Sequence, residues 1–122
     1  MSLHIVRHAK ALPRSRHMGG DRERPLDSKG QRQAEELAAR SLYAGVGAVV
    51  SSPAVRCVET VEPLATRLGL DVALEERLYE GGRPDIVFEL AAQLGPNIVI
   101  CSHGDLIPEA LRLLQLRGAE LV

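Results

Sequence analysis

The sequence predicts a three-layer α/β/α sandwich built on a mainly parallel sheet. Three observations lead there. Short apolar runs are bounded by polar turns, which suits strands buried on both faces. Between them lie longer stretches in which apolar residues recur every three or four positions, the spacing of one helical face. The two patterns alternate along the chain, as strand–helix–strand units require.

The first strand is Leu3–Val6 (LHIV). Asp27 then reads as a helix N-cap, and Ala34, Leu37, Ala38, Ser41 and Leu42 fall on one face of the helix that follows. Ala48–Ser52 (AVVSS) is the second strand. A helix from Ala54 places Cys57, Val61, Leu64, Ala65 and Leu68 on one side, and Gly69 stops it. Asp71–Ala73 with its neighbours reads as a third, less apolar strand. Pro84 occupies a first helical position ahead of Ile86, Val87, Leu90, Ala91 and Leu94. Asn97–Ser102 (NIVICS) is the fourth strand, and Pro108 opens a last helix with Leu111 and Leu114 facing inward. Residues 1–122 are expected to form one domain.

Composition narrows the class of partner. Aromatics are 2% of the chain, with no Trp, so the core must be Leu, Val, Ile and Ala, and the stacking platforms of single-strand nucleic-acid binding are missing. Net charge is -1 and the pI is about 6.4, so no global basic field draws the chain to a nucleic-acid polymer or a membrane. Neither a signal-peptide run at MSLHIVRHAK nor a bilayer-spanning stretch is visible, and a cytoplasmic location is expected. Cys57 and Cys101 lack metal or redox spacing and sit in apolar stretches, which fits a reducing compartment. One imbalance is local. Arg7, Lys10, Arg14, Arg16, Arg22 and Arg24 face only Asp21 and Glu23 across the same stretch, which suits a small anionic ligand or a solvated basic loop.

Ligands of open parallel sheets bind beyond the carboxyl ends of the strands, and three of these ends carry reactive or anion-binding groups. Arg7-His8 follows the first strand, Ser52 with Arg56 the second, and His103-Gly104 the fourth. A shared metal does not suit the histidines: His4 and His8 are roughly 13 Å apart along an extended strand, and no HExxH, CxxC or paired carboxylate accompanies them. Phosphoryl transfer suits them better. Arginine offers planar, permanently charged, bidentate donors, and Arg56 falls in the first turn of a helix whose free N–H groups favour an anion. A neutral imidazole at His8 can attack phosphorus, while His103 stabilises the equatorial oxygens. Glu80, in LYEGG, is the leading carboxylic acid for protonating a leaving group, with Glu59, Glu75 and Glu76 as competitors. Ser52 and Gly104 are further candidates for phosphate contact, Gly104 because it lets backbone approach a ligand. Neither a metal nor a cofactor is expected.

The set RHA (7–9), DRERPLDSKGQRQA (21–34), SSPAVRCVET (51–60) and SHGD (102–105) resembles the histidine phosphatase (phosphoglycerate mutase-like) superfamily, most closely its small SixA-type branch, from about Leu3 to Leu114. The resemblance implies a phosphoglycerate mutase-like fold, His8 as nucleophile, Arg7, Arg56 and His103 around the phosphate, and Arg24 at the pocket edge. Ala9 stands where larger members have Gly, as the SixA-like branch tolerates. A narrower likeness joins RHAKA, DRERPL, SSPAVRCVETVEPLA and CSHGDLIP to the C-terminal domain of mycobacterial MutT-like Nudix hydrolases. It implies that Arg14 and Arg16 reach toward further phosphates of a nucleotide.

The segment between Leu74 and Pro84 is too short for a large lid, and an open pocket suits a protein-borne phosphohistidine or a nucleotide. Relatives usually continue with another strand after the last helix. The chain is therefore either a minimal member or part of a longer one whose C-terminal edge strand follows Val122. The expected activity is a metal-independent phosphatase acting through a covalent phosphohistidine at His8, on a phosphohistidine protein or a small phosphomonoester. A nucleotide di- or polyphosphate phosphatase is the alternative, and a non-catalytic module binding a phosphorylated ligand is the contrasting class. Oligomeric state is left open.

Overall fold

The computed structural model describes residues 2–95 and 97–116. Four parallel strands, β1 (Ser2–Arg7), β2 (Ala48–Ser51), β3 (Val72–Leu74) and β4 (Asn97–Ser102), form one sheet in the order β1-β4-β2-β3. All three pairings are parallel, with Arg7 opposite Ser102 and Ser51 opposite Cys101. The helices are α1 (Ser28–Ala38), α2 (Val55–Leu68), α3 (Ile86–Leu94) and α4 (Ile107–Leu116).

The central strands alternate between two cores, as a pleated strand buried on both faces must. Val49, Val99 and Cys101 pack with Ala38, Cys57, Val61 and Leu64 under α1 and α2. Val50, Ile98 and Ile100 pack with Ile86, Val87, Leu90 and Ala110 under α3 and α4. The predicted three-layer sandwich is therefore present, with two helices on each face of the sheet. Among the described residues no helix is long and apolar enough to cross a membrane. Cys57 and Cys101 are buried and unbridged.

Three expectations need correction. The first helix does not reach Leu42: it ends at Ala38, Ser41–Tyr43 form a separate short turn, and Leu42 is 63% exposed. The break lets Tyr43 take the core position instead, its ring edge-on to His4 at 4.9 Å. Pro84 precedes α3 instead of opening it. Its carbonyl accepts from Val87 N–H in a preparatory turn, and Asp85 is the N-cap. In α4, Ala110 is the fully buried residue, Leu111 is half-buried, and the Leu114 side chain and the expected edge strand after Val122 lie outside the described residues.

Asp27 caps α1 as expected, its carboxylate accepting from Gly30 N–H at 2.7 Å. Gly30 is needed there because a Cβ would strike the Lys10 carbonyl oxygen, so the loop after β1 lies directly on the first turn of α1. Asp27 N–H donates to that same carbonyl at 3.0 Å. The loop bearing the cationic run is thereby fixed over the carboxyl end of the sheet.

Candidate active site

His8 follows β1 where the chain leaves the sheet, its N–H still donating to Ser102 O at 3.2 Å. The next two links set its ring. Nδ1 lies 2.8 Å from the Ala9 carbonyl oxygen, which can only accept, so Nδ1 carries the proton and Nε2 keeps its lone pair. Ala9 N–H donates to Thr60 Oγ1 at 2.9 Å, and the Thr60 hydroxyl donates to Arg56 O at 2.6 Å, which ties the turn to α2. Burial lowers the His8 pKa from 6.5, against the opposing pull of the Ala9 carbonyl. A neutral imidazole with a free nitrogen results.

His103 follows β4, 1% exposed, its ring centroid 5.6 Å from that of His8. Nδ1 lies 3.3 Å from Arg56 Nη2 and 3.5 Å from Glu80 Oε1, so with a proton on Nδ1 the ring donates to an oxyanion held beside the guanidinium. Nε2 faces Ser52 Oγ at 2.9 Å and Cys57 Sγ at 3.6 Å. Ser52 is thus wholly buried behind His103, with Ala54 N–H as its other partner. Expected at the phosphate, it is found holding the ring instead.

Arg56 is 0% exposed at the start of α2. Its Nη1 donates to Asp21 O at 2.8 Å, and its Nη2 to Asp21 Oδ2 at 3.1 Å and Glu80 Oε1 at 3.0 Å. Its Nε, among the described residues, is the buried side-chain polar atom without a partner. Burial would depress the guanidinium, but Asp21 and Glu80 outweigh it and its pKa rises. The Glu80 carboxylate also approaches His103 Nδ1 at 3.5 Å, so its Oε1 sits where an oxyanion shared by Arg56 and His103 would sit.

In front of this buried layer is a cavity of about 550 Å³, lined among others by Arg7, His8, Lys10, Arg14, Arg24 and Glu80. A larger groove of about 1090 Å³ between α1 and α2, with Glu35, Glu62 and Arg67 in its walls, holds of the expected site residues only Glu59, the competitor for the acid role, whose Oε1 accepts from Leu26 N–H at 2.9 Å. Arg7 is exposed, and its guanidinium occupies the space beside Gly104, where a Cβ would lie 2.9 Å from Arg7 Cζ. Gly104 therefore makes room for the Arg7 guanidinium. Arg24 is nearly buried, donating to Leu12 O at 2.8 Å and to Asp21 Oδ1 at 3.3 Å. Arg14 is 72% exposed and reaches Asp21 at 3.5 Å and Glu80 at 3.9 Å. Arg16 is exposed and is not part of the cavity wall.

His8, His103, Arg56, Glu80 and Arg7 are thus gathered at the carboxyl ends of β1, β4 and β2, with cations around the two imidazoles. Residues 3–85 match the family described as Histidine phosphatase superfamily (branch 1). The chain belongs to that superfamily. It is 39% identical over 111 residues to the 8-oxo-(d)GTP phosphatase of Mycolicibacterium smegmatis, covering 85% of this chain and 34% of that protein. It is 32% identical over 81 residues to the "Probable phosphoglycerate mutase GpmB" of Shigella dysenteriae serotype 1, covering 66% of this chain and 38% of that protein. The chain therefore spans little more than a third of the length of either relative. In structure it is similar to the protein histidine phosphatase SixA complexed with tungstate, at a TM-score of 0.79 and 22% identity over 93% of this chain and 76% of that one. At that identity the likeness is one of fold.

Asp21, Thr60 and Tyr79 also belong to this arrangement and were not singled out from sequence. Tyr79 Oη donates to Asp21 Oδ2 at 2.8 Å, and its ring lies edge-on to His103 at 5.2 Å. The signals were faint. Thr60 is four residues after Arg56, one helical turn on, and Asp21 is the nearest carboxylate to a run of arginines.

Proposed function

We propose that the chain hydrolyses phosphate monoesters or phosphoramidates without a metal, through a covalent phosphohistidine at His8. The observation that carries this is the 2.8 Å contact of His8 Nδ1 with the Ala9 carbonyl, which commits the proton to Nδ1 and leaves Nε2 as the nucleophile. The Nε2 lone pair attacks phosphorus, and the bond to the leaving group breaks with its electron pair. Arg7, Arg56 and His103 hold the equatorial oxygens as negative charge spreads over them.

In this reading a phosphoryl oxygen takes the place of Glu80 Oε1 between Arg56 and His103. Glu80, released from Arg56, takes a proton from solvent as the substrate binds and delivers it to the departing oxygen or nitrogen. Water then attacks phosphorus, the P–N bond breaks, the electron pair returns to Nε2, and Glu80 takes up the water's proton. Arg56 Nε, buried without a partner, gains an acceptor when the phosphate arrives.

The leading substrate class is a phosphohistidine protein or small phosphomonoester, since among the described residues no segment roofs the cavity. A nucleoside di- or polyphosphate is the second reading. It is favoured by the extra cations in the wall, Lys10, Arg14 and Arg24, which exceed what one phosphoryl group needs, and by the 39% identity to a nucleotide phosphatase.

The test is release of phosphate from p-nitrophenyl phosphate in EDTA, wild type beside His8→Ala, repeated with a phosphohistidine peptide and a nucleoside diphosphate. Metal-independent release lost in the variant is the expected result, and the better of the two latter substrates assigns the class. A folded wild type inert toward all three would sink the phosphatase reading for this chain and leave a module that binds phosphorylated ligands.

A further inference from the structure

Arg56 poses a problem that its own helix does not solve. A guanidinium this deeply buried is costly unless its charge is compensated and its donors are placed. Asp21 meets both needs from the loop after β1. Its carbonyl oxygen accepts from Nη1 at 2.8 Å and its carboxylate from Nη2 at 3.1 Å, so one residue grips the fork along its outer edge. What remains for a ligand is Nε, which has no partner, and the hydrogen-bonding direction of Nη2 now used by Glu80.

Asp21 is itself held from several sides. Tyr79 Oη donates to Oδ2, Arg24 Nε and Nη2 donate to Oδ1, both at 3.3 Å, and Arg14 Nε lies 3.5 Å from Oδ1. Beside it, Arg22 lies over the Tyr79 ring at 4.3 Å and pairs with Glu76, which staples the loop to the segment that carries Glu80. Burial would raise the Asp21 carboxyl, but the Tyr79 hydroxyl and the Arg56 guanidinium hold it down to about 2, so it stays an anion at any working pH.

We propose that Asp21 is a positioning residue of the phosphatase site: by gripping the Nη1–Nη2 edge of Arg56 it turns the rest of the guanidinium toward the phosphoryl group. This rests on the phosphoryl-transfer reading above. Asp21 touches no reacting atom and acts through Arg56.

The experiment is a double-mutant cycle of Asp21→Ala with Arg56→Ala, read as kcat and KM on p-nitrophenyl phosphate, with tungstate affinity by calorimetry and Tm for each variant. Asp21→Ala is expected to lower kcat by about 30- to 100-fold, with KM changed by less than about threefold, as loss of transition-state positioning predicts. In the Arg56→Ala background the same substitution is expected to change kcat by less than about threefold, because nothing is left to position. If Asp21→Ala does not fold, Asp21→Asn, which keeps the shape and loses the charge, replaces it in the cycle and is expected to lose about tenfold.

Equal loses in both backgrounds, or an unchanged kcat in Asp21→Ala, overturn the proposal while leaving the reaction at His8 intact. An inert wild type whose tungstate affinity still falls about tenfold in Asp21→Ala overturns the reaction and supports the grip on Arg56. An inert wild type whose tungstate affinity does not change in Asp21→Ala overturns both.

Discussion

The ends of β1 and β4 lie side by side, Arg7 opposite Ser102, and each is followed by a histidine, yet the two rings are held in opposite ways. His8 is half-buried with one nitrogen fixed by the Ala9 carbonyl and the other left open. His103 is wholly buried with both nitrogens engaged, Nε2 by Ser52 and Nδ1 by the Arg56–Glu80 pair. The same side chain in equivalent registers is thus given different work by its second contact. A ring with a free lone pair can form a bond, whereas a ring locked between a hydroxyl and that ion pair can only present a fixed dipole or charge.

The largest effect separates the two directly. His8→Ala is expected to remove turnover by roughly 10⁴- to 10⁶-fold and to abolish acid-labile phosphoenzyme, as loss of a nucleophile does. His103→Ala is expected to lose about 10²- to 10³-fold in kcat while still trapping the phosphoenzyme in a rapid quench. Loss of the trapped species in both variants would break the division of labour.

The contrast also explains what the sequence could and could not disclose. Strand ends are local features, and β4 runs over the same residues that its apolar pattern marks out. The positions of His8, His103, Arg7 and Arg56 followed from those ends, so their gathering was legible. What each neighbour touches depends on tertiary packing. Ser52 and Gly104 sit where expected, but one backs His103 and the other accommodates Arg7. Asp21 lies in a loop whose path is set by the contact of Gly30 with Lys10, and no periodicity reports that path. The end of α1 failed for a similar reason, since burial of Tyr43 overrode the helical repeat through Leu42.

Glu80 sharpens the comparison from the His103 side, because its carboxylate bridges Arg56 and His103. Glu80→Gln keeps the shape and removes the transferable proton. It is expected to slow alkyl phosphates by on the order of 10²-fold and p-nitrophenyl phosphate, whose leaving group needs little protonation, by less than about tenfold. Comparable slowing of both substrates would take the acid role from Glu80 and leave it as a placeholder for the phosphoryl oxygen.

Gly104→Ala probes the seam between the two strand ends. The added methyl meets the tip of the flexible Arg7 side chain at 2.9 Å, so the fold can yield where a backbone collision could not. Tm is expected to stay within a few degrees, while kcat/KM falls about tenfold as the guanidinium is pushed off its position. A large fall in Tm with a normal kcat/KM for the folded fraction would show that Gly104 serves packing alone.

The smallest effect is a titration. Burial is the main cause of the lowered His8 pKa, so the folded ring gives up its proton more readily than the unfolded one. The sign follows. In the unfolded chain the ring titrates near 6.5, and in the fold at a lower pH, so the native state binds fewer protons between the two values. The contribution of His8 to stability is complete above 6.5 and is lost as pH falls through the folded pKa. Activity shares the direction, because protonation consumes the lone pair on Nε2. Following the His8 C2–H resonance by NMR against pH should give a midpoint below 6.5, returning to that value in urea. A folded midpoint well above 7 would mean that the Ala9 carbonyl and the negative charge of a Cys57 thiolate outweigh burial. His8 would then be largely a cation at neutral pH, held like a charge donor, and the contrast with His103 on which the nucleophile assignment rests would disappear.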